Sequence, residues 1–168
     1  ALKVAAVVTA VVVGVTALGS AFATTARAAA EYGKQVAEVQ TISDQSVFTT
    51  ERITALNLEL ANTYGSSVRG NAQALYQTIS AGVTDAAAAT ALLNSASRLS
   101  IGGATDLTTA VDGLTSVVNA YRASNLTAED ASDILFTAIR NGKTTAEELS
   151  SSLGQVAPIA SQLGVAFE

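Results

Sequence analysis

Three groups of residues in this sequence have types and spacings that chemistry could use. Gly142-Lys143-Thr144 ends like a phosphate-binding loop, in which glycine N–H groups and a lysine cradle phosphates. That loop needs a further glycine five residues ahead of Gly142, where Thr137 stands. It also needs a preceding strand, whereas the residues ahead of Gly142 have helical periodicity, so a helix-to-helix turn is the better reading. Asp130 and Asp133 lie on one helical face and could form a carboxylate pair. Asp130, however, falls in a first helical turn, where a carboxylate complements the helix dipole. Glu147 and Glu148 follow two threonines at capping-box spacing and read as caps. The four tyrosines, Tyr32, Tyr64, Tyr76 and Tyr121, fall on apolar stripes with no basic residues interleaved, as partly buried core positions rather than a base-stacking platform.

The rest of the inventory argues against reaction chemistry. The chain has no Cys and no His, so it lacks thiolate nucleophiles, sulfur zinc ligands, the usual neutral-pH base and the commonest transition-metal ligand. Its net charge is −5 and its nine basic residues are scattered. A stable nucleic-acid interface needs clustered Lys or Arg against the phosphates, so direct DNA binding is not expected. No catalytic, cofactor or metal site is expected either, and the chain reads as a non-enzyme.

The elements follow from composition. Hydrophobic residues make up 49% of the chain but aromatics only 5%, and Pro158 is the single proline. Ala and Leu favour helix, and scarce proline leaves helices unbroken. The expected fold is all-α: a long apolar N-terminal helix followed by a compact bundle of short helices. The organisation expected is a helix over 1–42, a polar hinge at 43–48 and a core domain over 49–168. The sequence does not begin with Met and reads as part of a longer polypeptide.

No charge occurs between Lys3 and Arg27, which leaves 23 uncharged residues from Val4 to Ala26. As a helix they span roughly 34 Å, about the thickness of a bilayer core. Val4, Val8, Val11, Val15, Leu18 and Phe22 supply hydrophobicity. Ala6, Ala10 and Gly14 form a ladder of small residues at every fourth position, which lets helices approach closely. Three readings fit this run. Lys3, the apolar stretch and Ala21-Phe22-Ala23 resemble a secretory signal. The same run could insert into a membrane, or be buried all round by copies of itself or a protein wall. Beyond Ala26 the pattern turns amphipathic, with Ala29, Tyr32, Val36 and Val39 at helical spacing up to about Ile42.

Short helices with clear punctuation follow. Ile53, Leu56, Leu60 and Tyr64 form a stripe closed by Gly65, and Ala72, Leu75, Tyr76 and Ile79 one closed by Gly82. Thr84 or Asp85 caps a helix with the face Ala88, Leu92, Ala96 and Leu99, broken at Gly102-Gly103. Thr105 is expected to cap the stripe Leu107, Ala110, Val111, Leu114, Val118 and Tyr121. Thr127 caps the next, with buried Ala131, Ile134, Leu135, Ala138 and Ile139, ending at Asn141-Gly142. Thr144 or Thr145 closes a capping box, and a last helix is expected to start near Gln155, with Pro158 in its first turn.

From Val118 to Phe167 these residues resemble the core region of phage tail tape measure proteins. The matching features run in order: Asn119-Ala120-Tyr121 at a helix end, Ser132-Asp133 before Ile134-Leu135, and Gly142-Lys143-Thr144-Thr145 leading to Glu148-Leu149. Leu153 to Ala160, including Pro158, and Leu163-Gly164-Val165 complete the series. Ala74-Leu75-Tyr76 and Ser80-Ala81-Gly82 extend the resemblance upstream, so that it covers Ile53 to Phe167. It implies a structural protein inside the tail tube of a virion, which sets tail length and assists genome ejection across the host envelope. The implied partners are further copies in a parallel homo-oligomer, a trimer, together with tail tube and tail tip or baseplate hub proteins and, on ejection, the host membrane. A rival reading is a membrane-anchored helical sensor with one transmembrane helix, which leaves the ordered series from Asn119 to Val165 unexplained.

Overall fold

The helices start where short polar side chains can hold their free N–H groups. In the computed structural model, which describes residues 26–142 and 144–167, helix α1 occupies 26–42 of the described chain. It is followed by α2 (Thr50–Tyr64), α3 (Val68–Ser80), α4 (Ala86–Gly102), α5 (Leu107–Ala120), α6 (Ala128–Asn141) and α7 (Ala146–Gln162), with a 3₁₀ turn at Arg122–Ser124. From α2 to α7 the N-caps are Thr49, Ser67, Asp85, Asp106, Thr127 and Thr145, each accepting a backbone N–H three residues on. Such a cap is worth about 1 kcal/mol. Among the described residues there are helices, turns and no strands, an all-α fold.

Two starts differ from expectation. Asp106, not Thr105, caps α5, because the Thr105 hydroxyl is engaged elsewhere, donating to Glu147 Oε1 at 2.6 Å. The last helix does not begin near Gln155. It begins at Thr145, where Thr145 and Glu148 form a reciprocal capping box, and runs unbroken through Pro158. Pro158 and Gly154 are both exposed, so the carbonyl that loses its donor at the proline can turn to water.

Helix ends are as well marked. Gly82 and Gly164 take left-handed conformations (φ 92° and 73°). Around them, Val83 N–H reaches Thr78 O and Val165 N–H reaches Ala160 O, the six-to-one bond of a Schellman motif. The same closure ends α4, with Thr105 N–H donating to Ser100 O. There the left-handed residue is Ala104 (φ 52°) rather than either expected glycine. Gly102 and Gly103 serve packing instead. A Cβ on Gly102 would stand 2.7 Å from the Phe136 ring, and one on Gly103 3.3 Å from Ala146 Cβ.

Residues 35–168 form one compact unit, and α5 is its centre. It packs against α3, α4 and α6, and most extensively against α7. Gly113 permits that last contact: a Cβ there would stand 3.0 Å from Ser150 Cβ. Thr105 and Glu147 tie the starts of α5 and α7 together, and Ser161 Oγ donates to Ala120 O at 2.6 Å near their ends. The two helices therefore run side by side in the same direction. The core combines Ile53, Leu60, Leu75, Leu92, Leu93 and Leu114 with a lining of alanines. Each large side chain contributes about 1.5–3 kcal/mol by leaving water.

Several face residues fall elsewhere than the stripes indicated. Ala89 is buried rather than Ala88, Tyr76 and Ala138 are exposed, and Leu56, Ile134 and Ile139 are half-buried. Asn57, Asn71 and Ser132 take core positions in their place. Asn71 Nδ2 donates to the Asn57 carbonyl at 2.9 Å, and Ser132 Oγ to the Ser95 carbonyl at 3.3 Å. Buried Thr78, Ser97 and Thr115 return their hydroxyls to the carbonyl four residues back, which satisfies them without a tertiary partner. The 43–48 segment is an ordered turn, in which Asp44 accepts from Ser46 N–H at 2.8 Å and Phe48 is buried.

Candidate interaction surface

The residues singled out from the sequence do not converge on one point. Val4, Ala6, Val8, Ala10, Val11, Gly14, Val15, Leu18 and Phe22, and with them the apolar half of the expected long helix, lie outside the described residues, as does Lys143. No helix among the described residues is long and apolar enough to cross a membrane. Asn119, exposed near the end of α5, donates to Ala81 O at 2.8 Å and accepts from Arg122 at 3.2 Å. Two residues on, Tyr121 is buried, with its ring 5.2 Å from that of Phe167. These contacts join the end of α5 to the end of α3 and to the segment after α7. Gly142 closes α6 by donating to Ala138 O at 2.7 Å. Thr144 lies beside Glu148 at the α7 capping box, donating to its Oε2 at 3.4 Å. Leu149 is half-buried, Pro158 is exposed within α7, and Gly164 closes that helix. Asn119, Tyr121, Gly142, Thr144 and Gly164 thus fall at turns and helix ends, whereas Asp133 lies within α6 and Leu149 and Pro158 within α7.

The acidic residues act locally. Asp130 accepts from Thr127 Oγ1 at 2.6 Å at the start of α6, while Asp133 is exposed. No group of three or more His, Cys, Asp and Glu among the described residues could hold a metal ion. Asp106 has the largest perturbation: hydrogen bonds from the Thr108 hydroxyl first, then the Thr109 hydroxyl and Thr109 N–H, lower its pKa to about 2. Its role is to hold the first turn of α5. Glu147 is also lowered, chiefly by the Thr105 hydroxyl, and its role is to tie α7 to α5.

What the bundle presents outward is apolar surface. On the second half of α7, Val156 and Ile159 are 57% and 61% exposed, and Leu163 just beyond is 76% exposed. They stand at i, i+3 and i+7, a stripe on the side of α7 away from buried Ala146, Ser150 and Ala157. Val165, 55% exposed, extends it. A groove of about 350 Å³ opens between α2, α4 and α6, lined by Tyr64, Leu99, Ile101, Gly102 and Phe136 with Arg98 and Asp133 at its edge. Arg98 is paired with Glu129 at 3.2 Å, and the Arg140 guanidinium lies 6.0 Å from the centre of the Phe136 ring. Sequence reasoning did not pick out either surface. The readable signal was the absence of any charge from Leu149 to Phe167, a run too long to be explained by one buried helical face.

Comparison with known proteins decides the family. The family model described as phage-related minor tail protein matches residues 54–168. The chain belongs to this family. The matched span begins within α2 and takes in all the later helices, close to the Ile53–Phe167 stretch expected from the motif series. A probable tape measure protein of Clostridium phage phiCD119 is 27% identical over 157 residues, which is 92% of this chain and 17% of that protein. The chain thus spans less than a fifth of the length of this curated relative. No solved structure matches the chain.

Proposed function

We propose that this chain is one segment of a tape measure protein, a structural component inside a phage or phage-like tail tube that sets tail length and assists genome ejection. The observation that carries this reading is the likeness over nearly the whole chain to a probable tape measure protein several times longer. In that reading the segment has a packing role and no catalytic one. Its partners are parallel copies of itself, as a trimer, and the proteins of the tube and of the tip or baseplate hub. The membrane-anchored sensor is not favoured, since it leaves the family match unexplained.

Tail length tests the proposal. In-frame deletions of helical sequence in the parent gene, outside 54–168, shorten a ruler by about 1.5 Å per residue removed. Electron microscopy of tails from such mutants should show shortening in that proportion. Tails of unchanged length would reject the ruler role. Insertion of Val4–Ala26 into the host membrane is a separate part of the proposal, tested by dye leakage from liposomes. The segment peptide should cause leakage, and Val12→Asp or Gly14→Asp should abolish it, because a charge at mid-helix opposes insertion. An inactive natural peptide would remove the membrane step and leave the ruler role standing.

A further inference from the structure

We propose that Asn141 is a self-modification site, at which the backbone nitrogen of Gly142 attacks the side-chain amide and expels ammonia. The new bond joins Gly142 N to Asn141 Cγ and closes a succinimide ring. The bond that breaks frees the amide nitrogen, which leaves with the proton given up by Gly142 N. One water then opens the ring at either carbonyl, and residue 141 becomes aspartate or isoaspartate. The chain and water alone balance the reaction.

The sequence holds seven asparagines, and only Asn141 is followed by glycine. Any side chain on the following residue crowds the approach of its nitrogen to Cγ, and glycine has none. Asn57, Asn62, Asn71, Asn94 and Asn119 lie within α2 to α5, where the helical hydrogen-bond ladder holds the backbone in place. Asn125 stands exposed in the turn after α5, but Leu126 follows it. Asn141 and Gly142 are both exposed, at the point where α6 stops. Asp112-Gly113 could close the same ring by losing water, but it lies in the middle of α5 with Gly113 buried. Arg140 and Lys143, the cationic neighbours in sequence, favour the anionic nitrogen through which the attack proceeds.

The end of α6 gates the reaction. Gly142 N–H donates to Ala138 O at 2.7 Å, and the nitrogen must leave that bond to turn on Cγ. Helix ends open locally far more often than a whole bundle unfolds. The rate in the folded chain therefore reports the opening of this one turn. The product then keeps the turn open. Isoaspartate inserts a main-chain carbon ahead of Gly142, where the fit is close: a Cβ on Gly142 would stand 2.7 Å from Ala138 O. Either product also sets a carboxylate at the C-terminal end of α6, where the helix dipole opposes it. The modification runs one way and loosens the joint between α6 and α7. It rests on backbone geometry and is independent of the tail-length role, so failure of one test leaves the other untouched.

The test follows the full chain at mildly alkaline pH, folded in one sample and unfolded in urea in the other. Peptide mapping reads the mass gain that replaces an amide by an acid, and an isoaspartyl methyltransferase labels the isoaspartate. Modification should gather at Asn141 in both samples, roughly five- to fiftyfold more slowly in the folded chain. Asn141→Gln, checked by circular dichroism for an unchanged fold, should remove it, because the longer side chain closes a less favoured ring. Equal rates in the two samples would overturn the gate at the end of α6. Conversion at Asn125 ahead of Asn141 would overturn the proposal, as would a folded chain still unmodified once the unfolded one has converted fully.

Discussion

At Ala104 the chain adopts a left-handed conformation without the residue that adopts it freely. The Schellman closure of α4 requires that backbone, and Gly82 and Gly164 supply it at two comparable ends. An L-residue there carries a cost of about 1–2 kcal/mol, offset in part by the greater chain entropy that glycine loses on folding. Ala104→Gly should therefore stabilise the chain by about 1 kcal/mol in urea unfolding, and a loss of stability would show that Ala104 makes a compensating contact. Asp106 gives a pH-dependent counterpart. Its folded pKa is about 2 against the ordinary 3.8 of an aspartate, so its contribution is complete above about pH 5 and is lost as pH falls toward 2. Asp106→Asn keeps an acceptor for Thr109 N–H but does not titrate. The stability advantage of the natural chain over this variant should shrink as pH falls from 4 to 2 in parallel urea titrations. A constant gap would mean that the threonine hydroxyls do not favour the ionised carboxylate.

The elements show why some of this architecture could be read from sequence and some could not. Thr127 is legible in the sequence, and the caps of α4 and α7 are legible to within one residue, as Thr84 or Asp85 and as Thr144 or Thr145, since a cap is decided within four residues. Thr105 and Asp106 are both good caps, and the choice between them rests on Glu147, more than forty residues away. The small and polar members of the core, Gly113 against Ser150 and Asn71 on the Asn57 carbonyl, are fixed by tertiary contacts that no periodicity carries. Proline is best tolerated in a first turn, which places a helix start near Gln155, yet the capping box and the contacts of α7 with α5 carry the helix from Ala146 through Pro158. It remains a local weakness, missing one N–H donor within α7. Pro158→Ala should restore the bond to the Gly154 carbonyl and raise stability by about 1–3 kcal/mol, measured as a higher urea midpoint with an unchanged slope. If the variant is no more stable, the backbone geometry that proline imposes must be needed for the α5–α7 contact.

For the whole molecule, the family match and the compact unit do not start at the same place. The match begins at residue 54, within α2, whereas the compact unit begins at Gln35, within α1. Val36 and Val39 are buried, and Gln40 Nε2 donates to Thr50 Oγ1 at 3.1 Å. The last turns of α1 are therefore part of the core rather than a leader attached to it. A chain of 35–168 should accordingly fold alone, with a helical circular dichroism spectrum and one cooperative urea transition. A chain of 43–168 loses both valines, each worth about 1.5–3 kcal/mol when buried. It should be less stable by about 3–5 kcal/mol. Equal stability of the two truncated chains would show that the domain needs nothing before α2, and the helix could then be peeled from the bundle at little cost. A large difference would mean that the last turns of α1, with Val36 and Val39, are held as firmly as the other helices of the compact unit.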